Sequence, residues 1–310
     1  MANQLVADRD VSDYRMIRES PELYARSLKL IKSWEKRAQV KQSFPGDIRF
    51  SPEMPDFPLD ILPFDSNTWE ARYGRKKIIE LSSLAWIAFN NKVISIESNI
   101  LIPCCKILMD TAFYQGDNVE AELLAQAQTD EAFHVLMAHK TNALCRELRS
   151  IPLLQFPETR IIKELRILES SEIVQWQKDL SLVAATVVTE VLIKGFLSPI
   201  SRSDSIQVLN RHVTNMHLTD EAAHGQVFQV IAHKLLSQLT TERREYFIQQ
   251  MRNSFDYFTD IDIDIWIFII QYSEISITDE IIEELSSNQA ASDYRELDKL
   301  LADHKRLNFA

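Results

Sequence analysis

One hexapeptide occurs twice in this chain, and the repeat limits the folds that the sequence can adopt. TDEAFH at residues 129–134 recurs as TDEAAH at residues 219–224, ninety positions later, with five of six residues identical. Each copy lies in the middle of a long predicted helix. Within each copy the glutamate and the histidine are three apart, so both project from one helix face about a turn apart. The repeat predicts two helices that each present a Glu-x-x-His pair.

Each copy is preceded by a glutamate in an apolar segment. Glu97 lies within VISIESNIL, 34 positions before Glu131, and Glu190 lies within AATVVTEVLI, 31 positions before Glu221. A carboxylate in such surroundings is costly unless it is paired or binds a metal. At a rise of about 1.5 Å per residue, an antiparallel hairpin that turns at Gly116 brings Glu97 and Glu131 to a similar height along the bundle axis. The spacing of Glu190 and Glu221 gives a similar result. This is the pattern of ferritin-like dimetal-carboxylate bundles.

Charge and donor type indicate the class of metal. Four buried glutamates without a cation would repel one another, and some would have to take up protons. Two divalent ions would neutralise them, and mixed imidazole and carboxylate donors suit iron or manganese better than zinc. The predicted metal ligands are Glu97, Glu131, His134, Glu190, His217, Glu221 and His224.

The two halves of this predicted site differ at one position. His217 lies four residues before Glu221 and seven before His224, so the three share one stripe of their helix. The matching position in the first copy is Ala127. One metal is therefore predicted to have an additional imidazole ligand.

An aspartate precedes the glutamate in each copy of the hexapeptide, as Asp130 and Asp220. These side chains point around the helix, away from the Glu-x-x-His face. We predict that each accepts the free N–H of a metal-binding histidine on a neighbouring helix. Such a contact fixes the tautomer and the orientation of the histidine ring.

The remaining chain predicts further helices. Glycine is scarce, with five in 310 residues, and no alternation of period two persists. We predict a helix at 12–40, a proline-rich strap at 41–68, and helices from Thr68 to about Phe113 with a break near Asn90 and Asn91. Further helices are predicted at 118–148, 171–198 (ending near Pro199), 204–238 and 241–258, followed by a less regular segment at 262–304. The predicted fold is all-α: one domain over residues 1–310, with a ferritin-like four-helix-bundle core at about 70–238 and additional helices, including C-terminal ones at 241–304.

Composition argues against several classes of partner. The net charge of −11 disfavours nucleic acid, and the basic run Arg72, Arg75, Lys76 and Lys77 is typical of a solvated helix face. Three cysteines without paired spacing predict free thiols. The apolar runs we considered, such as residues 261–270, are too short to span a membrane. We therefore expect a cytoplasmic protein without a membrane partner.

The ligand string resembles that of the p-aminobenzoate N-oxygenase (AurF-like) family of non-haem diiron oxygenases, and the resemblance covers about residues 90–235. A seventh ligand at His217 separates this family from ferritins and desaturases, which generally have six. The resemblance implies two iron ions (Fe2+/Fe3+) and O2 as co-substrate. It implies oxidation of an amine nitrogen to hydroxylamine and onward to nitroso or nitro, in natural-product biosynthesis. It also implies one iron on Glu97 and His134, the other on Glu190, His217 and His224, and bridging by Glu131 and Glu221.

The resemblance leaves the substrate open, because the motif positions no arginine that would hold a carboxylate. The substrate could be an arylamine, an amino acid or an aminoacyl group tethered to a carrier protein. Two electrons must come from an external donor, since no flavin or nicotinamide fingerprint is present, and a redox partner is implied. The alternatives are a diiron hydroxylase or oxidase acting on carbon, and an iron-handling ferroxidase without organic substrate. The sequence is compatible with a homodimer.

Overall fold

The computed structural model describes residues 21–42, 49–111, 118–287, 298–299 and 301–302. Within these ranges every regular element is a helix, so the all-α prediction is confirmed. The α-helices are α1 (Pro21–Arg37), α2 (Ser66–Tyr73), α3 (Arg75–Ile96), α4 (Ile102–Thr111), α5 (Asn118–Arg149), α6 (Arg160–Ser170), α7 (Gln175–Arg202), α8 (Val208–Gln238), α9 (Thr241–Thr259), α10 (Ile263–Tyr272) and α11 (Asp279–Ser287).

Four helical arms form the bundle. The first arm is α3, which continues through a π-helical turn at Glu97–Leu101 into α4. The others are α5, α7 and α8. Contacts join α3 to α5, α5 to α8, α8 to α7, and α7 back to the π turn and α4. Outside this ring, α1 packs on α5 and α8, whereas α9 packs on α7. The bundle therefore has one face covered by α1 and an opposite face near α9.

Helix α7 is the most apolar arm. Among the described residues it is the one helix whose length and mean hydropathy (1.8 over an 18-residue window) would allow it to cross a membrane. The expectation from the sequence rested on shorter apolar runs and did not include this helix. The helix is in contact with α4, α6, α8 and α9, and its core side chains are buried between them. Packing on several sides accounts for its composition.

The predicted break near Asn90 and Asn91 was wrong. Both residues lie within α3, where the Asn90 amide donates to the carbonyl of Trp86 at 3.0 Å. The break falls earlier, at Gly74, which has a φ of +87° and separates α2 from α3. That backbone conformation is readily available only to glycine.

Other predicted boundaries also moved. Pro199 does not end α7, which continues to Arg202, so residues 201–202 are helical and α8 begins at Val208. Helix α6 was not predicted. Helix α1 ends at Arg37 rather than near residue 40, while residues 12–20 and the predicted turn at Gly116 lie outside the described residues.

The proline-rich strap, predicted at 41–68, is irregular over residues 49–65 except for a 3-10 turn at Leu59–Ile61. The prediction was wrong for its last three residues, 66–68, which belong to α2. Its apolar side chains are nonetheless buried. Phe57, Leu62 and Phe64 pack into the cluster that includes α3 and α10, and Phe64 stacks on Trp69 with ring centroids 4.0 Å apart. The strap is therefore part of the core without being part of the bundle.

Asp56 fixes this strap to three bundle helices. Its carboxylate accepts hydrogen bonds from Arg149 Nε on α5 and from Ser83 Oγ on α3, both at 2.7 Å. Its carbonyl accepts from Asn210 Nδ2 on α8 at 2.8 Å. The Arg149 guanidinium also donates to the carbonyls of residues 52 and 54. Asp56 is 2% exposed and the Arg149 side chain is 10% exposed, so the ion pair is largely buried.

Candidate metal centre

Four glutamates and three histidines meet inside the bundle, and each arm contributes at least one. All seven are buried, and the most exposed of them, His217, is 6% exposed. The π turn provides Glu97, α5 provides Glu131 and His134, α7 provides Glu190, and α8 provides His217, Glu221 and His224. A π turn alters the helical register locally and is frequent at functional sites.

One set of donor atoms comes from Glu97, His134, His217 and Glu221, and these atoms lie within 4.8 Å of one another. His217 Nε2 is 3.1 Å from an oxygen of Glu97 and 3.1 Å from an oxygen of Glu221. His134 Nδ1 is 3.3 Å from the same Glu221 oxygen. This set could hold one metal ion, and we call it the first donor group.

A second donor group shares two residues with the first. It comprises Glu131, His134, Glu221 and His224, again with donor atoms within 4.8 Å of one another. His224 Nδ1 is 2.7 Å from Glu131 Oε1 and 3.5 Å from Glu221 Oε1. Glu190 approaches this group from α7, with Oε2 3.7 Å from His224 Nδ1.

The position of His217 differs from the pairing that the resemblance implied. We expected His217 beside Glu190 and His224, whereas it lies in the first donor group with Glu97 and His134. The rings of His134 and His217 have centroids 4.1 Å apart. The reason is helical geometry: His217 is one turn before Glu221 on α8, and at that height α8 faces the π turn rather than α7.

Several polar atoms of the cluster lack hydrogen-bond partners although they are buried. Glu97 Oε2, Glu190 Oε2 and Glu221 Oε2 have none among the described residues, whereas Glu131 Oε1 and His224 Nδ1 approach each other at 2.7 Å. Each buried polar atom left without a partner costs about 1–3 kcal/mol, and more if it is charged. Shared cations would satisfy these three oxygens and would bind Glu131 Oε1 and His224 Nδ1 as well. The donor set, with its excess of carboxylate oxygens, fits two divalent metal ions of the iron or manganese type.

The pKa values of the glutamates show that the histidines of the protein compensate their charges unevenly when no metal is bound. Burial raises the pKa of Glu97 to about 7, against the lowering effect of His217. Burial and the nearby charge of Glu221 raise the pKa of Glu190 well above its usual range. For Glu221 burial also favours the acid, but His224 and other imidazoles outweigh it and lower its pKa well below the usual range. Metal binding would therefore displace protons from the cluster.

The two repeat aspartates cross between the copies. His134 Nε2 lies 3.2 Å from Asp220 Oδ2, and His224 Nε2 lies 3.1 Å from Asp130 Oδ2. Each aspartate is 0% exposed and contacts the histidine of the other copy. With Nε2 directed at a carboxylate, the Nδ1 lone pair of both rings is directed at the glutamates. This arrangement suits metal binding through Nδ1.

Gly225 allows α8 to approach α7 beside the cluster. A Cβ atom at this position would lie 3.0 Å from the backbone oxygen of Glu190. Backbone cannot move aside as a side chain can, so the close approach of Glu190 and His224 depends on a residue without a side chain here.

A comparison with protein families decides where this chain belongs. The family model described as "P-aminobenzoate N-oxygenase AurF" matches residues 21–303, which includes α1 and all four arms of the bundle. The chain belongs to the AurF family. It is also similar to a 4-aminobenzoate N-oxygenase of Streptomyces thioluteus, with 26% identity over 266 residues, covering 84% of this chain and 79% of the relative.

In this AurF-family chain, α1 supports the centre in a way that the sequence analysis missed. Trp34 Nε1 donates to Asp130, with its two carboxylate oxygens at 2.9 and 3.0 Å. The backbone N–H of Gln39 donates to Asp220 at 3.2 Å, and Arg37 Nη1 lies 3.5 Å from Asp220 and 3.6 Å from Asp130. In the sequence, Trp34 falls at helical spacing with the apolar residues before it, which is typical of a core position and did not predict this role.

On the face near α9, a small pocket of about 50 Å³ reaches three of the glutamates. Its walls are mainly apolar and include three aromatic rings. The lining residues are Phe89, Lys92, Val93, Ile96, Glu97, Leu101, Thr189, Glu190, Ile193, Phe196, Glu221 and Phe258. Phe196 is 37% exposed and lies at the outer side of the pocket, edge-on to Phe258 with ring centroids 4.8 Å apart. The pocket gives the centre an approach from solvent on this face.

Lys92 is the one cationic side chain in the lining of this pocket among the described residues. Its ammonium donates to Asp262 Oδ2 at 2.8 Å and to the carbonyl of Phe258 at 3.2 Å. Both partners are largely buried, with side chains 18% and 7% exposed for Lys92 and Asp262. The charge of Lys92 is thus already compensated within the protein.

Proposed function

We propose that this AurF-family chain is a diiron N-oxygenase that uses dioxygen to oxidise the amine nitrogen of an aromatic substrate. The observation that carries the proposal is the pair of buried donor groups within a chain that matches the family over residues 21–303. One iron would be held by Glu97, His134 and His217, and the other by Glu190 and His224. Glu131 and Glu221 would bridge, and in support Glu131 Oε2 and Oε1 are 3.3 and 2.7 Å from the Nδ1 atoms of His134 and His224.

The bound metals would supply oxygen activation, and the first step would balance as amine plus O2, two electrons and two protons giving hydroxylamine and water. The protein contributes position and environment. Asp130 and Asp220 hold the protons of the ligand imidazoles on Nε2. The apolar walls of the pocket exclude water, so an amine enters in its uncharged form, with the nitrogen lone pair free to react. Arylamines, which are weakly basic, meet this condition near neutral pH.

The pocket supports an aromatic substrate over an amino acid. Phe89, Phe196 and Phe258 offer ring faces and edges for stacking. A cavity of about 50 Å³ is much smaller than the roughly 150 Å³ that takes up a benzene ring, so a ring can enter only if wall side chains move. Phe196, at the exposed side, is best placed to turn outward. Aminobenzoate, the substrate named for the Streptomyces relative, would in addition need a cation for its carboxylate.

Product analysis tests the proposal. Purified protein should contain about two metal ions per chain by elemental analysis, predominantly iron, because two donor groups are present. Reduced protein is mixed with 18O2 and an arylamine, an amino acid or a carrier-tethered aminoacyl group, and products are identified by mass spectrometry. We expect labelled oxygen on the nitrogen of the arylamine. Label on carbon would favour the hydroxylase alternative, and iron oxidation without any labelled product would favour the ferroxidase.

We predict that His217→Ala impairs turnover far more than metal content. Its metal would keep Glu97, His134 and the shared carboxylates, whereas the loss of one imidazole changes reactivity, with an expected fall in turnover of roughly 10–100-fold. Metal content and initial rate are measured on the same preparations. His139→Ala, an exposed histidine on α5, is the matched control and should match wild type. Parallel loss of metal and activity in the His217 variant would contradict this assignment.

A further prediction concerns the compensated charge of Lys92. Asp262→Asn should free this ammonium and lower the KM for 4-aminobenzoate by about tenfold, the value of one charged hydrogen bond. Asparagine suits the site, because residue 262 has a φ of +54°, a conformation in which Asn is common. The KM for a carboxylate-free arylamine is the internal control and should not change. An equal change for both substrates would show that Lys92 does not select for charge.

A further inference from the structure

A continuous hydrogen-bonded path joins the surface of α1 to the second donor group. Trp34 is partly exposed, and its indole N–H donates to Asp130 at 2.9 Å. Asp130 in turn lies 3.1 Å from Nε2 of His224, whose Nδ1 is directed at Glu131 and Glu190. The path thus has two short polar contacts between an oxidisable ring at the surface and a proposed metal ligand.

In the part of the chain that the structure describes, no such ring reaches the aspartate of the other half of the site. Asp220, the partner of His134, receives the backbone N–H of Gln39 and the guanidinium of Arg37 instead. Orientation of a histidine therefore requires only an ordinary donor to its aspartate. The indole of Trp34 provides something more than that, a side chain that can pass a single electron.

The path and the pocket lie on opposite faces of the bundle. Helix α1 covers the face formed by α5 and α8, whereas the pocket is lined by residues of α3, the π turn, α7 and α9, with Glu221 at its inner end. A substrate in the pocket would leave the α1 face accessible. A protein that delivers electrons could then bind while substrate is held.

The surface around this path has a charge opposite to that of the chain as a whole. Between residues 22 and 41 there are six cationic side chains and two carboxylates, in a protein of net charge −11. Lys29, Lys32 and Lys36 are exposed, and their spacing puts them on one side of α1. Lys41 lies over the Trp34 ring, 4.2 Å from its centroid. An acidic partner would be attracted to this surface and away from the rest.

We propose that electrons enter the metal centre through Trp34, Asp130 and His224, delivered by an acidic one-electron carrier protein that docks on the basic face of α1. The proposal rests on the proposed function, which needs two electrons from outside for each oxygen inserted. Two reduced carriers each give up one electron in succession and leave oxidised, and the two protons come from solvent. The conjugated ring of Trp34 shortens the distance over which each electron tunnels from the docked carrier, without changing its own oxidation state, and Asp130 is the positioning residue between the ring and the histidine.

Reduction kinetics test this electron path. The oxidised, iron-loaded protein is mixed with a reduced plant-type ferredoxin, and the rate of reduction is followed by absorbance. Trp34→Gln keeps an N–H donor for Asp130 but removes the conjugated ring, so it should slow this reduction about tenfold or more, which corresponds to about 1.4 kcal/mol in the barrier. Iron content and midpoint potential should stay at wild-type values. Trp176→Gln, which makes the same change at a partly buried tryptophan of α7 outside the path, is the control and should be reduced at the wild-type rate.

Hydrogen peroxide separates this proposal from the proposed function. Peroxide carries both the oxygen atom and the two electrons, so it can oxidise an amine to hydroxylamine and water without a carrier. Trp34→Gln, which still offers an N–H to Asp130, should retain peroxide-driven N-oxidation while losing most ferredoxin-driven N-oxidation. If even wild type yields no product with peroxide, the proposed function fails. If the variant is reduced by ferredoxin as fast as wild type, or if it loses iron or shifts in potential, the electron path is overturned.

Charge reversal tests the docking surface, in metal-free protein as well. Lys29→Glu with Lys32→Glu should weaken ferredoxin binding and slow association by about tenfold or more at low salt, and salt should reduce the difference. The matched control is Lys76→Glu with Lys163→Glu, two exposed lysines on α3 and α6. If both pairs of substitutions weakened ferredoxin binding equally, the effect would come from net charge alone, and the docking site would be overturned.

Discussion

Glu190→Gln is expected to remove about one metal ion per chain and nearly all turnover, while the metal-free protein remains at least as stable as wild type. Burial and the charge of Glu221 raise the pKa of Glu190 well above its usual range, which favours the neutral acid in the metal-free protein. Glutamine imitates that acid in shape and charge. It cannot imitate the carboxylate that a metal of the second donor group requires, and we expect turnover to fall by roughly 100-fold or more.

Stability with and without metal separates the two effects. A ligand at 1,000 times its Kd adds about 4 kcal/mol to the free energy of unfolding, so losing one of two metals should remove about half of the stabilisation by metal. Thermal unfolding is measured with and without a chelator, beside elemental analysis. Glu172→Gln, which changes an exposed glutamate between α6 and α7, is the control. A variant that keeps two metals, or whose metal-free form melts earlier, would contradict the role of Glu190.

The buried carboxylate and histidine cluster was predictable because it depends on local rules. A Glu-x-x-His pair shares a helix face wherever the helix lies, and an apolar stretch around a glutamate signals burial whatever packs on it. The repeat of one hexapeptide then places two such pairs in equivalent surroundings. None of these inferences requires knowing how the helices rotate about their own axes.

The pairing of His217 depends on that rotation, and for this reason the sequence did not determine it. The stripe of His217, Glu221 and His224 spans about two turns of α8, so its ends face different neighbours. The lower end meets Glu97 on the π turn and the upper end meets Glu190 on α7. A π turn adds one residue to the helical register, and no particular residue type marks its position. The sequence around Glu97 therefore did not predict it.

Helix boundaries failed where side chains with poor helix propensity are stabilised by tertiary structure. Asn90 remains helical because its amide bonds to the turn before it and Trp86 beside it is buried. Pro199 lies near the C-terminal end of α7, where α7 continues to Arg202. The break between α2 and α3 instead falls at Gly74, whose positive φ is readily available only to glycine. Propensity is a weak prior wherever packing is dense.

Contacts between residues far apart in the chain, which support the fold, could not be predicted from sequence patterns. Trp34 and Asp130 are 96 residues apart, and Arg149 and Asp56 are 93 apart. A partner at such a distance has no spacing rule. The strap illustrates the consequence, because its prolines predict an irregular course but say nothing of the buried ion pair that attaches it to α3, α5 and α8.

Asp56→Ala should therefore be among the most destabilising single substitutions, with an expected loss of about 3–5 kcal/mol in the free energy of unfolding. It leaves the Arg149 guanidinium, 10% exposed, buried without its counter-ion, which is the costly way to break an ion pair. Chemical denaturation of metal-free protein measures the loss without interference from metal binding. Asp204→Ala removes the carboxylate of an exposed pair with Arg211, whose aspartate is 92% exposed, and should cost less than about 1 kcal/mol.

The double variant Asp56→Ala with Arg149→Met then distinguishes a lost charge from a lost strap. If the penalty in the single variant comes from the unpaired guanidinium, removing that group as well should restore much of the stability, and the two substitutions will not be additive. The recovery should be incomplete, because Arg149 also holds the carbonyls of residues 52 and 54. Additive losses would mean that the carboxylate and the guanidinium stabilise the strap independently, and that the ion pair itself contributes little.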